Sequence, residues 1–525
     1  MQTNSQFIFL YGPPGSGKST VGKQLAQDLG LSFFDLDDDI EYRSRMTIPE
    51  IFEQEGEAGF RQRERYCLDA ILDGSPAVVA LGGGALLDDS TRQRVEAAGQ
   101  VACLTASFDA LLARLQSSPV RRPLLKGDAA GQLDRLLQRR SAHYASFPLQ
   151  VNTGGISPAQ ATWQTQLCLG RFRVSGMGAD YDVLVQPGGL DQLGRRLLER
   201  NLQGPIVVVS DQNVAGLHGQ RAVKTLEEAG YAAHLVTISP GETYKTIETV
   251  ISLWTAFLDH GLERSSTVVA LGGGVVGDLT GFAAATYLRG ISWVGVPSTL
   301  LAMVDSSLGG KTGADLPQGK NLIGAFHPPS LVLADPDLLT TLPPAELRSG
   351  LAEVVKHGVI GDPELFELCS AGWEAVQADW EPVVRRGMAV KIQVIQADPF
   401  EKGWRAALNL GHTLGHAVEL ASHYDLRHGE AVSIGMVAAA RLAELRGLAE
   451  TGLVGQIESV LGRLGLPIKM PSYLEHTDIL RGMSLDKKRR DGKVRFVLPI
   501  RIGEVRVGVE VEDLEEVIRL SEGKR

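Results

Sequence analysis

The stretch Gly12–Ser19 reads GPPGSGKS and fits the spacing G-x-x-x-x-G-K-[ST]. It follows an apolar run, QFIFLY, and precedes a segment of helical spacing that closes on Gly30. In that context the pattern means phosphate chemistry. Backbone amides of such a loop, with the start of the helix behind them, cradle nucleotide phosphates. The Lys18 ammonium reaches the β- and γ-phosphates, and the Ser19 hydroxyl ligates Mg²⁺. Gly12, Gly15, Ser16, Gly17 and Thr20 complete the expected loop. Downstream, in FFDLDDDIE, Asp35 and Asp37 alternate at strand period and so would share one face; a solvated acidic turn is the competing reading. FRQRE (Phe60–Glu64) and RRPLL (Arg121–Leu125) add isolated arginines, for which surface solvation is the plain alternative.

A second set of chemistry-bearing residues lies far downstream. Glu353 sits in GLAEVVKHG, His412 and His416 in ALNLGHTLGHAVE, and His428 in RHGEAV. One carboxylate and two imidazoles suit a catalytic zinc that keeps a coordination position open. His412 and His416 are i, i+4 on an expected helix, so spacing alone pairs those two as ligands. Between the two sets, GGGVVGD places Gly272, Gly274 and Gly277 at G-x-G-x-x-G spacing. That pattern is weak on its own, and no acidic residue follows at the usual ~20-residue spacing for a ribose. A standard Rossmann unit is therefore not indicated, although a dinucleotide remains compatible.

These residues need elements to hold them. The heptamer VVALGGG occurs twice, at Val78–Gly84 and Val268–Gly274, with unrelated flanks. The first copy has Leu87 where the second has its final glycine. Two independent strand-and-turn units explain the match better than duplication, because ligands of open α/β sheets bind at the carboxyl ends of strands. The 525 residues exceed one ordinary core, and alternating strand and helix patterns give an α/β class. From about Pro336 long helical stretches dominate, ending in a strand-like tail, VRFVLPIRIGEVRVGVEV. The expected domains are 1–170, 175–335 and 336–525. A net charge of −10 argues against nucleic-acid binding in general, while leaving local basic patches free to bind small anions. The cysteines Cys67, Cys103, Cys168 and Cys369 form no CxxC pair, which argues against a thiolate metal site. No apolar run reaches the ~18 residues of a membrane span, and the N-terminus lacks a leader pattern, so a cytoplasmic location is expected.

Residues 5–165 resemble shikimate kinase, through the phosphate loop, D-x-D, F-R-x-x-E, the GGGA turn, R-P-L-L and the R-x-x-x-Y segment Arg140–Tyr144. The resemblance implies ATP-dependent 3-phosphorylation of shikimate. Asp35 would organise the Mg²⁺ shell. Asp37 would contact substrate hydroxyls and accept the proton. Arg61, Gly83, Gly84 and Arg140 would hold the carboxylate and ring. Arg122, taken because it directly precedes the proline, would belong to a lid closing on the phosphates. A guanidinium fork suits a carboxylate. Another small-metabolite kinase of the same superfold is the alternative.

Residues 178–520 resemble 3-dehydroquinate synthase, through SDQN, PGETYKT, GGGVVGD, TYLRG, VPSTLLAMVDSSLGGKTG, GKNLIGAFHPP, GLAEVVKHG, ALNLGHTLGHAVE, HGEAV and DKK. The resemblance implies an α/β NAD-binding part followed by a mostly helical metal and substrate part. It assigns zinc, or cobalt, to Glu353, His412 and His428, and turns His416 toward the substrate phosphate. NAD would be lined by Asp211, Asn213, Glu242, Lys245, Gly273, Gly274, Asp278 and Thr299. The substrate, 3-deoxy-arabino-heptulosonate 7-phosphate, would be surrounded by Arg289, Asp305, Lys311, Lys320, Asn321, Lys356, Lys391, Arg405 and Asn409. Asp305, Lys311, Lys356 and His416 would stand nearest the chemistry. Either Lys487 or Lys488 would add a phosphate contact, with Lys488 taken. A homodimer follows by analogy. A polyol dehydrogenase, or a cyclase making another ring, fused to a different kinase is the alternative, as is one catalytically silent half.

Overall fold

A computed structural model describes residues 7–117, 128–489 and 493–523, with no account of the side chains of 485–489. Arg122, Lys487 and Lys488 therefore fall outside what is described. The chain forms two compact units, Met1–Arg173 and Val174–Arg525.

The first unit is built on five strands: β1 (Phe7–Tyr11), β2 (Ser32–Asp35), β3 (Ala77–Ala80), β4 (Gly99–Thr105) and β5 (Leu149–Asn152). They lie in the order β2-β3-β1-β4-β5, and every pairing is parallel. The unbroken apolar run FIFLY follows from this, because a central parallel strand is covered on both faces. Phe7, Phe9 and Tyr11 enter one core, and Ile8 and Leu10 the other. The chain leaves β1 toward β2 on one side and leaves β3 toward β4 on the other. The sheet therefore switches direction between β1 and β3, and a crevice opens at their carboxyl ends. The glycine runs at 12–17 and 82–84 stand there.

The second unit carries a parallel sheet with β6 (Tyr181–Val185), β7 (Gln203–Asp211), β8 (Ala233–Ile238), β9 (Ser266–Gly272) and β10 (Ser292–Pro297). After an antiparallel hairpin, β11 (Lys311–Leu316) with β12 (Gly319–Phe326), comes β13 (Leu331–Ala334). In space these parallel strands run β6-β13-β10-β9-β7-β8. Here the direction switches between β7 and β9. The second VVALGGG ends at that point, as the first ends at its own.

Helices follow: Pro344–Gly361, Trp380–Ala397, His412–Ala421 and His428–Leu445, then a closing hairpin Arg495–Arg501 with Glu504–Glu510. Two glycines set the crossing of the His428 helix. A Cβ on Gly429 would collide with the Ser349 carbonyl, and one on Gly435 with the Gly411 carbonyl. The helix start thus presses against the turn of helix that leads to Glu353, and its next turns press against the residue preceding His412. Gly429→Ala is expected to cost about 1–3 kcal/mol, the usual penalty of overpacking, read as a lowered melting temperature. Weaker metal retention should accompany it, because His428 is the neighbouring residue.

Candidate functional site

In the first unit the phosphate loop is held open by backbone shape. Gly12, Gly15 and Gly17 have φ of 130°, 82° and 97°, conformations that side chains with a Cβ avoid. Gly12 also has no room for a Cβ against the Leu104 carbonyl. The helix Lys18–Leu29 begins without any side-chain cap, so its first amides stay available to an anion. Lys18 Nζ donates to the Gly12 and Pro13 carbonyls, each at 3.0 Å. Ser16 is buried, and Thr20 is exposed.

Ser19 Oγ donates to Asp35 Oδ2 at 2.5 Å, which joins the two side chains expected around Mg²⁺. The strand-period reading of Asp35 and Asp37 does not hold. Asp35 is the last residue of β2, and Asp37 already lies in the helix Leu36–Ser44. Asp35 caps that helix, its Oδ1 accepting the Asp37 N–H at 3.1 Å. The cap, rather than a shared strand face, brings the two together.

Around Gly82–Gly84 four charged side chains converge. A Cβ on Gly82 would lie 3.0 Å from Glu64 Oε1 and 3.3 Å from Asp37 Oδ1; one on Gly84 would lie 2.6 Å from Arg61 Nη2 and 3.2 Å from Arg140 Nη1. Arg140 Nη1 donates to the Gly83 carbonyl at 2.9 Å, as does the Tyr144 hydroxyl at 2.7 Å. Arg61 is held by Glu64 at 2.5 Å. Burial pushes the Glu64 carboxyl above its ordinary range, against the pull of Arg61. Sequence reading quoted Glu64 but gave it no role; its i, i+3 spacing from Arg61 was the available signal. Arg114, which donates to the Gly15 carbonyl at 3.3 Å and to Thr153, was also missed. No local pattern marks it, since its partners lie far away in sequence.

In the second unit, β9 ends at Gly272 and the helix Gly274–Thr286 starts two residues later, again without a side-chain cap. A Cβ on Gly273 would come 3.2 Å from Thr299 Cγ2, and one on Gly274 would come 3.0 Å from Ser306 Oγ. Across the switch point, Asp211 ends β7 and accepts the Asn213 and Val214 amides at 2.9 and 3.2 Å. Thr299 Oγ1 accepts the Ala302 amide at 3.1 Å. Lys245 is buried and donates to Asp278 Oδ2 at 2.6 Å and Asn321 Oδ1 at 2.7 Å. Burial alone would depress its ammonium, but Asp278 outweighs burial and raises it. Glu242 lies 3.8 Å from Lys320.

Beside this crevice is a cavity of about 630 Å³. Its lining includes Asp278, Asp305, Lys311, Asn321, Lys356, Lys391, Arg405, Asn409 and His412. Lys391 Nζ donates to both the carboxylate and the carbonyl of Asp305 at 2.6 Å, and Lys311 pairs with Glu401. Burial lowers the Lys391 ammonium despite Asp305. Arg405 is fixed through the Pro399 carbonyl at 2.6 Å. His416 is exposed and borders an adjoining cavity shared with Asn409 and His412. Arg289 is exposed, at φ 70°, and is absent from the lining of this cavity.

At the cavity edge, ligand atoms of Glu353, His412 and His428 lie within 4.8 Å of one another. Glu353 is completely buried, and its two oxygens face one ammonium and two imidazoles. Oε1 faces His412 Nε2 at 3.5 Å and His428 Nε2 at 3.4 Å, while Oε2 pairs with Lys356. The opposite ring nitrogens are anchored: His412 Nδ1 at the Leu410 carbonyl, 3.2 Å, and His428 Nδ1 at Glu419 Oε2, 3.3 Å. A buried carboxylate facing two oriented imidazoles fits a divalent cation with an open position. Burial, with Lys356 adding to it, pushes His412 down to about 3. Burial would also depress His428, but Glu353 and Glu419 outweigh it and raise it to about 10. Asp305, Glu353 and His357 form a second such triplet. It shares Glu353 with the first, and its other carboxylate, Asp305, is already paired with Lys391, so the His412 and His428 side is the one left to a cation. The spacing pair His412 and His416 is not the triplet; the third group arrives from a different helix.

Comparison with known proteins agrees with this division. The family model described as shikimate kinase matches residues 14–167. Those described as 3-dehydroquinate synthase N-terminal and C-terminal match 235–349 and 350–489. The chain is 47% identical over 338 residues to a 3-dehydroquinate synthase of Nostoc punctiforme, covering 63% of this chain and 93% of that one. It is 48% identical over 338 residues to that of Symbiobacterium thermophilum, covering 63% and 94%. Among solved structures, 2-epi-5-epi-valiolone synthase of Streptomyces hygroscopicus, with NAD⁺ and Zn²⁺ bound, is similar at 32% identity and TM-score 0.60, covering 66% of this chain and 98% of that one.

Proposed function

The chain belongs to the 3-dehydroquinate synthase family and carries a shikimate kinase domain ahead of that part, and on this premise we propose that it performs both reactions. Both serve the making of aromatic precursors. The observation that carries the reading is that each unit places its charged side chains at its own sheet-switch crevice, beside bare glycine backbone.

In the kinase half, the phosphate loop and Lys18 hold ATP, and Ser19 with Asp35 holds Mg²⁺. Arg61 and Arg140 meet the shikimate carboxylate at Gly83–Gly84, and Asp37 takes the proton of the hydroxyl that attacks. Such a transfer needs positioning and charge neutralisation more than covalent help. In the synthase half, Glu353, His412 and His428 hold zinc or cobalt, and Gly272–Gly274 admit the NAD pyrophosphate. When bound, the ion acts as a Lewis acid on a substrate hydroxyl and NAD⁺ as a temporary hydride acceptor. Lys311, Lys356, Lys391 and Arg405 bind the carboxylate and phosphate of a polyanion inside an otherwise acidic chain. Asp305, fixed by Lys391, aligns that cluster. The functional boundaries proposed are 1–170, 175–335 and 336–525.

We also propose a homodimer through the synthase half and a cytoplasmic location. Supporting the dimer, Ile251 and Leu258 are exposed on one helix, and Leu288 and Arg289 are exposed just past the end of the helix Gly274–Thr286. Among the described residues, no helix is long and apolar enough to cross a membrane. Incubated with ATP, Mg²⁺ and shikimate, the chain is expected to yield ADP and singly phosphorylated shikimate. With the heptulosonate phosphate, NAD⁺ and zinc it is expected to yield 3-dehydroquinate and phosphate. A folded chain that fails to make one product loses that half of the proposal.

A further inference from the structure

The two imidazoles of the metal cluster are oriented by different devices. His412 Nδ1 lies 3.2 Å from the Leu410 carbonyl, an acceptor that no side-chain substitution removes. His428 Nδ1 lies 3.3 Å from Glu419 Oε2, a side chain seven positions along the helix from His412. The other oxygen, Glu419 Oε1, lies 3.6 Å from Lys320 Nζ. Lys320 belongs to the hairpin strand β12, sits over the Tyr424 ring at 4.4 Å, and is 3.8 Å from Glu242. The Glu419 side chain is only 14% exposed, whereas Lys320 is 40% exposed, so the carboxylate is sheltered while the ammonium that meets it is reached by water. The next residue of the same strand, Asn321, accepts from Lys245. One carboxylate thus stands between a metal-facing imidazole and the strand that reaches the dinucleotide crevice.

We propose that Glu419 is the positioning residue of the metal centre, orienting His428 through Nδ1 and tying that orientation to the hairpin through Lys320. A carboxylate on the far nitrogen fixes the tautomer, presents Nε2 to the ion and makes the imidazole a stronger donor. Lys320 holds the carboxylate in the orientation that does this. When an anionic substrate group draws Lys320 away, Glu419 is left to His428 alone, so substrate binding and metal grip are linked. This inference rests on the metal-site reading above.

The test uses the full chain and measures zinc affinity by competition with a chromophoric chelator, together with the visible absorption of the cobalt form. Loss of an outer partner of a metal-bound histidine typically weakens metal binding ~10–100-fold. Glu419→Ala is expected to fall in that range and to shift the cobalt band. Glu419→Gln, which keeps an acceptor without the charge, should lose less, and Lys320→Ala should lose a few-fold. The melting temperature of the metal-free chain and its ADP-forming activity should stay at the parent values. Parent-like zinc affinity and cobalt spectrum in Glu419→Ala would overturn the proposal. So would a loss matched by an equal fall in metal-free stability, since that describes a merely structural role. If Glu353→Gln also binds zinc like the parent, the metal-site reading itself has failed rather than the role of Glu419.

Discussion

Glu353→Gln should abolish metal-dependent synthase turnover while leaving ADP formation with shikimate at the parent rate. The substitution is nearly isosteric, so its effect comes from charge. Glu353 is the only anionic group of the triplet, it is completely buried, and it faces both His412 and His428 Nε2. Removing an outer partner of a ligand already costs ~10–100-fold in metal affinity, and removing a direct anionic ligand should cost at least the upper end of that range. The same change leaves the Lys356 ammonium buried without its ion-pair partner, a defect that typically costs about 3–5 kcal/mol. Metal content should therefore be measured after dialysis and well below the melting transition, with kinase activity as the control for folding. Stoichiometric zinc and parent turnover in this variant would remove Glu353 from the centre.

Lys18→Ala should have the mirror effect, lowering kcat for ADP formation while phosphate release from the heptulosonate phosphate continues. Lys18 opens the helix Lys18–Leu29, and its ammonium rests on the Gly12 and Pro13 carbonyls at the loop. There it meets negative charge that grows on the transferring phosphoryl group. Loss of one preorganised donor to developing charge commonly costs ~10²–10³ in kcat, and a full positive charge should reach the top of that range. Steady-state kinetics with shikimate saturating separate this from a weakened KM for ATP. A variant that keeps its kcat would show that the ammonium does not act in the transfer.

Contiguous chemistry was legible in the chain and assembled chemistry was not. The phosphate loop could be read from eight adjacent residues because strand, turn and helix start all follow one another there. The carboxyl-end location of both VVALGGG copies was likewise legible, since a buried run ending in glycines implies a strand and its turn. Spacing failed for the metal centre: i, i+4 periodicity selects His412 and His416, and only the resemblance replaced His416 with His428, which opens another helix. What delivers His428 is the close crossing at Gly429 and Gly435, a tertiary contact without a local signature. Strand period failed at Asp35 because the element changes at the next residue, and a helix cap took over. Glu419 escaped notice because its partners, His428 and Lys320, sit on other elements, and Arg114 because its hydrogen bonds reach distant Gly15 and Thr153. The same holds for Glu401, a loop residue whose pairing with Lys311 of β11 joins positions far apart in the chain.

The central claim is that one chain joins a kinase to a synthase whose redox step is internal and returns its hydride. The most direct measurement follows phosphate release and NADH absorbance together in one reaction, using the heptulosonate phosphate, zinc and NAD⁺ far below the substrate concentration. The account predicts many phosphates released per NAD⁺ with no net NADH. NADH accumulating in step with substrate consumption, without phosphate, would contradict it and identify a dehydrogenase instead.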